Sequence, residues 1–154
     1  MMIVQSTRFG ELEISEDQIF DFPQGIPGFP AEKRFVFLDY QPDSPFYFLQ
    51  SVTEPNLTFL LIDPFAFFAD YEFVLEDDVA AEIGLSRDNP PAVYNITTVK
   101  GGLENMTANL VAPVLINARD RKGKQIVLEK TDYTTRYRLF PDGLPGKKTS
   151  EGGR

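Results

Sequence analysis

Thirteen of the fourteen phenylalanines fall at or before Phe73, and six tyrosines but no tryptophan accompany them. Phe and Tyr suit the pleated, half-buried surface of a sheet, so a first half loaded in this way favours strands. The spacing agrees. Over residues 34–40, Phe35, Phe37 and Asp39 share one face of an extended chain, while Val36, Leu38 and Tyr40 share the other. Residues 45–52 repeat the pattern after a four-residue link containing Pro42 and Asp43, short enough for antiparallel neighbours. Both faces are apolar at one end, as a strand inside a barrel or sandwich requires.

The remaining segments follow from the same periodicity. Residues 3–6 and 12–15 flank a turn and predict an opening hairpin, and residues 18–22 alternate as a further strand. Residues 23–30 hold three Pro and two Gly, which forces a rigid turning loop. Its apolar members, Ile26 and Phe29, either pin the loop to the core or stand out as a docking surface. Residues 57–62 read as a strand, and residues 63–69 as a helical turn or an aromatic plug. Residues 70–75 alternate, so burying Tyr71, Phe73 and Leu75 turns Asp70, Glu72 and Val74 outward. Asp77 or Asp78 can cap a short helix over 79–83 that Gly84 ends.

Residues 92–99 are rich in β-branched side chains and predict another strand. Residues 107–117 form the most continuously apolar run of the second half. A polar turn at 119–123 and a second run at 125–130 complete a hairpin. Pro113 cannot donate a ladder hydrogen bond, so the first run is bulged or broken there, or lies at an edge open to an added strand. Residues 133–139 read as a polar edge strand. The expected fold is all-β: a small antiparallel β-barrel-like single domain over 1–140, with about ten strands and one short helix, followed by a disordered tail over 141–154.

Charge and composition narrow the function. The net charge is −8, and it is uneven: residues 1–78 carry fifteen acidic and three basic side chains. Such a surface repels phosphate backbones, which disfavours direct nucleic-acid binding, and attracts a basic partner. There is no run of about 20 apolar residues and no signal-peptide pattern, so no membrane association is expected. The chain has no Cys and no His. Ser-His and Cys-His catalysis and most zinc sites are thereby excluded, and the lack of Cys fits a reducing cytoplasm. No phosphate-binding loop occurs, and Glu76-Asp77-Asp78 lacks the spacing of a calcium loop. We expect no catalytic residue, no metal and no cofactor.

Several stretches together resemble the flagellar assembly factor FliW family. They are residues 25–29 (G-I-P-G-F), Ser44-Pro45-Phe46 leading to residues 49–52, and Pro64-Phe65 with Phe67-Phe68 leading to residues 70–73. The second half adds residues 107–110, residues 112–117, Gln125 with Val127-Leu128, and Tyr133-Thr134-Thr135. The resemblance implies a non-enzymatic, β-barrel-like cytoplasmic protein, a monomer when free, that binds newly made flagellin and also the RNA-binding translational repressor CsrA. Abundant unexported flagellin would occupy it and leave CsrA to repress flagellin translation. After secretion, the freed protein would antagonise CsrA from outside the RNA site.

The side chains expected at the partner surface are the acids that alternation turns outward, with their apolar neighbours. Glu72 comes first, with Asp70 on its face; Asp39 and Asp43 follow, then Ile26 and Phe29, and Gln50 as an amide on the adjacent strand. The alternatives are a small-ligand or saccharide-binding β-barrel with Tyr40, Tyr47 and Tyr71 as stacking platforms, and a hydrolase with two acids about 5–9 Å apart in a cleft.

Overall fold

The alternating runs of the first half pair as sequence neighbours in the computed structural model, which describes residues 1–143. Strands β1 (Met2–Ser6) and β2 (Gly10–Ile14) form a separate hairpin. An antiparallel meander follows through β3 (Ile19–Asp21), β4 (Arg34–Asp39), β5 (Phe46–Ser51), β6 (Thr58–Ile62) and β7 (Ala92–Thr98). The two-residue β8 (Thr107–Ala108) pairs at the end of β7. Next along β7 lies β9 (Val114–Asn117), which turns back into β10 (Lys122–Gln125). Finally β11 (Tyr137–Arg138) lies at the edge of β8.

The ring closes where β10 meets β3, at Lys122 and Asp21. That seam is parallel, whereas the expectation was antiparallel throughout. The cause is a parity constraint: β3, β4, β5, β6, β7, β9 and β10 make seven strands, and an odd ring of alternating directions must have one parallel seam. Gly123 sits beside it. A Cβ there would lie 2.4 Å from the ring of Phe22, a fully buried residue, so only glycine lets the two strands close over that ring.

Both faces of the barrel wall are covered. Inside pack Phe20, Phe22, Ile26, Phe35, Leu49, Leu61, Val114 and Ile116, with Phe37, Tyr47, Phe59 and Tyr94 against them. Outside, Val4 and Ile14 of the first hairpin cover Ile19 and Val36. Helix α1 (Asp77–Glu82) leads into Ile83 and Leu85, which pack on Leu115. The chain between β6 and α1, together with residues 133–140, covers Ile62 and Ala108.

Several expected elements differ. Residues 107–117 are broken into β8 and β9, as a mid-run proline requires. Strand β10 begins inside the expected turn and ends where the expected strand began. Pairing nevertheless continues past it: Ile126 N–H donates to the Pro113 carbonyl (3.0 Å) and Leu128 N–H to that of Val111 (2.7 Å). Those carbonyls therefore do not offer an open edge. Residues 70–75 alternate in burial but join no ladder. Glu76, not Asp77 or Asp78, is the N-cap of α1, and it makes no side-chain capping bond. The helical turn expected after β6 is a 3-10 turn at Pro64–Ala66, where Asp63 accepts from the Phe65 N–H. From residue 144 onward the expected tail lies outside the described residues.

Candidate partner-binding surface

Residues 70–76 form an extended strap across the outside of the barrel, fastened by one tyrosine. Tyr71 is only 4% exposed, and its hydroxyl donates to the Leu110 carbonyl at 2.7 Å. The same oxygen accepts from Asn95 Nδ2 at 3.2 Å, while Asn95 also donates to the Asn109 carbonyl at 2.9 Å. Burial pushes the Tyr71 phenol up to about 12, so it stays neutral and keeps its proton for Leu110. Tyr133 packs against Tyr71 with ring centroids 4.8 Å apart, and its hydroxyl accepts from the Glu72 N–H at 3.1 Å. Fixing Tyr71 inward holds Asp70 and Glu72 outward, as alternation predicts, although without a sheet neighbour.

The strap borders two grooves. One, about 360 Å³, runs between Glu72, Val74 and Glu76 on one side and residues 126–131 on the other. A second, about 350 Å³, holds Asp70 among Phe67, Phe68, Tyr133 and Tyr137. Val74 is 82% exposed at the first groove, an apolar side chain between two acids.

Asp39 and Asp43 lie elsewhere, at the β4–β5 turn. Asp39 pairs in register with Tyr47, and Asp43 adopts a left-handed backbone (φ 63) that the turn demands. The phenols of Tyr47 and Tyr94 are both raised, first by burial and then by neighbouring charge that includes Asp63 and Asp39, which marks a negative barrel mouth. None of Asp39, Asp43, Asp70 and Glu72 enters an ion pair among the described residues.

The other three expected contacts divide. Ile26 is 1% exposed and plugs the barrel interior; it is an anchor to the core, not to a partner. Phe29 remains 41% exposed while packing edge-on against Phe59 (5.6 Å). Gln50 is completely buried: its amide oxygen accepts from Ser6 Oγ (2.7 Å) and Thr58 Oγ1, and its nitrogen donates to the Ser51 carbonyl. It presents no amide at the surface, because the first hairpin covers that face of β5.

Two features carried no local signal. Asn95 and Tyr133 act on Tyr71 and Glu72 from 24 and 61 residues away. A third groove, about 330 Å³, is lined by Arg8, Tyr40, Phe46, Phe48, Leu60, Leu103, Met106 and Phe140. Its residues come from four separated parts of the chain.

Comparison with known proteins assigns this architecture. The family model described as "FliW protein" matches residues 3–139. The flagellar assembly factor FliW of Desulfitobacterium hafniense (strain Y51) is 50% identical over 153 residues, covering 99% of this chain and all of the relative. That of Heliobacterium modesticaldum is 43% identical, covering 99% of both. A solved structure described as the crystal structure of the flagellar assembly factor FliW superposes with a TM-score of 0.84 at 43% identity, over 93% of this chain and all of that one. A family match over residues 3–139, relatives up to 50% identical over nearly the whole length and a superposing fold place the chain in the FliW family of flagellar assembly factors.

Proposed function

We propose that this protein binds newly made flagellin and, when free of it, binds and antagonises the translational repressor CsrA in the cytoplasm, so that flagellin translation follows flagellin secretion. The observation that carries the reading is the strap: two exposed carboxylates, Asp70 and Glu72, outside any ion pair among the described residues and held in place by a buried tyrosine. An acid presented in this way suits a basic, RNA-binding partner. It also raises the negative potential that RNA would meet beside the complex. Asp39 and Asp43 add to the field from the barrel mouth. In this reading the protein is a monomer when free, no residue has a catalytic role, and residues 1–140 form the binding body.

The saccharide-binding alternative is disfavoured by the filled barrel: Phe22, Phe35, Leu49 and Leu61 are completely buried at its centre. Tyr71, one of its three stacking platforms, is turned into the wall. The hydrolase alternative needs two acids about 5–9 Å apart in a cleft; Glu72 and Glu76 line the first groove but are four residues apart along extended backbone, about 13 Å.

Co-purification with flagellin and with CsrA, separately and then in competition, tests the proposal. Each partner alone is expected to bind, and saturating flagellin is expected to displace CsrA. Failure to bind either partner sinks it; simultaneous, independent binding of both sinks the coupling.

A further inference from the structure

The groove of about 330 Å³ differs from the rest of the acidic half in chemistry. Seven of its eight lining side chains are apolar or aromatic, and Tyr40 and Leu103 are each 57% exposed there. Its single charge is a cation. Arg8 is one of only three basic residues among the first 78. Its guanidinium lies over Phe48 at 5.1 Å and Phe9 at 5.9 Å and joins no ion pair among the described residues. The rings, which stand at 75° to each other, hold the cation by its charge, and its side-chain N–H donors make no hydrogen bond among the described residues, leaving them free for a planar acceptor. With fifteen carboxylates in the same half of the chain, an Arg kept unpaired is informative.

We propose that this groove takes an amphipathic segment of flagellin, its apolar ridge lying on Phe46, Phe48, Leu60 and Leu103 and one carboxylate of that ridge pairing with Arg8. The inference rests on the flagellin reading above and adds where and by what chemistry the contact is made. Charge decides against the two rival occupants. A basic partner such as CsrA meets a cation in the groove and acids only outside it. A second copy packed groove to groove would bring another Arg8 against this one. Desolvated by the surrounding rings, an Arg–carboxylate pair is sensitive to loss of either member, and an apolar ridge tolerates no added charge beneath it.

The test uses the full chain with purified flagellin and purified CsrA, each titrated by calorimetry. The variants are Arg8→Glu, Arg8→Lys and Leu103→Lys. Both Arg8 and Leu103 are exposed, so melting temperatures should stay close to that of the parent. Arg8→Glu and Leu103→Lys are expected to weaken flagellin binding about tenfold or more and leave CsrA binding within about twofold. Arg8→Lys, which keeps the charge but loses the planar fork of donors, should fall between. If the parent protein binds flagellin and both the Arg8→Glu and Leu103→Lys variants bind it equally well, the groove assignment is overturned while the function stands. If the parent does not bind flagellin at all, the underlying reading fails first. A concentration-dependent dimer by light scattering that Arg8→Glu abolishes, with flagellin binding unchanged, would give the groove to a second copy and overturn the proposal.

Discussion

Inside the barrel, Phe37, Tyr47 and Tyr94 meet with ring centroids 5.0–5.3 Å apart, and Phe20 extends the group at 5.8 Å. Outside it, a second file of rings runs from Phe73 through Tyr71, Tyr133, Tyr137, Phe68, Phe67 and Phe46 to Tyr40 and Phe48, each within 6.5 Å of the next. The residue types are the same, but the supporting backbone is not. The inner rings stand on β3, β4, β5 and β7, whose register fixes where each points. Much of the outer file stands outside the barrel strands, on residues 67–73 and 133–140, and is held largely by ring contacts and hydroxyl bonds. It is also the physical link between the acidic strap and the apolar groove. A closed barrel with a filled interior has no way to bind a partner except by what is laid on its outside, and that layer is the one that can shift without breaking the sheet.

The inner layer should suffer the larger loss when its packing is disturbed. Gly123→Ala would force a methyl group onto the Phe22 ring at the parallel seam, and we expect a loss of about 2–3 kcal/mol, measured by urea unfolding. Adding Phe22→Leu should recover part of it, because the two side chains compete for one space; strict additivity in that double-mutant cycle would refute the account. The outer layer should respond more mildly. Tyr71→Phe keeps the ring but removes the donor to Leu110 and the acceptor for Asn95, costing about 1–2 kcal/mol. Because the strap loses its fastening, CsrA binding should fall as well, whereas an equivalent loss of stability inside the barrel should leave it unchanged below the melting transition.

How much of this could be read in advance depends on how far apart the interacting residues are. The faces of β4 and β5 were legible because alternation is a property of six consecutive residues, and the burial of Tyr71 against the exposure of Glu72 followed from the same rule. The absence of a ladder under the strap was not legible, since the group that meets the Glu72 N–H is a side chain 61 residues away. Gly123 follows a charged run and reads locally as a turn; its reason for being glycine is Phe22, about a hundred residues earlier. Gln50 sits at the polar end of the face of β5 that carries Phe46 and Phe48, and alternation alone does not say whether that end is covered. The first hairpin covers that face and supplies Ser6 to its amide. Polar residues at strand positions thus carry two meanings, and only the tertiary partner separates them.

Alkali separates the two layers by charge. Burial raises the phenol of Tyr94 in the inner group and that of Tyr71 in the strap to about 12 each, from an ordinary 10.0. A phenol whose folded value is raised favours folding while it is protonated. The stabilisation is complete below pH 10 and is lost as the pH rises through about 12, because the unfolded chain ionises first. Stability should therefore decline over that window. Tyr94→Phe and Tyr71→Phe should each flatten the decline, and the decline left in Tyr71→Phe reports the inner layer. A slope unchanged by both substitutions would mean that neither phenol is as buried as its packing indicates.

The smallest effect on stability and the largest on partner choice are expected at one position. Glu72 is exposed and, among the described residues, belongs to no ion pair and makes one hydrogen bond, from its backbone N–H to Tyr133. Glu72→Arg should therefore shift unfolding by no more than about 0.5 kcal/mol. The same change reverses the charge that a basic partner approaches, so CsrA binding should weaken by about tenfold or more, chiefly through slower association at low salt. Flagellin binding in the Arg8 groove should be untouched. If the variant folds normally and binds CsrA as the parent does, Glu72 leaves the interface, and the contact would have to be sought at Asp39 and Asp43 on the barrel mouth.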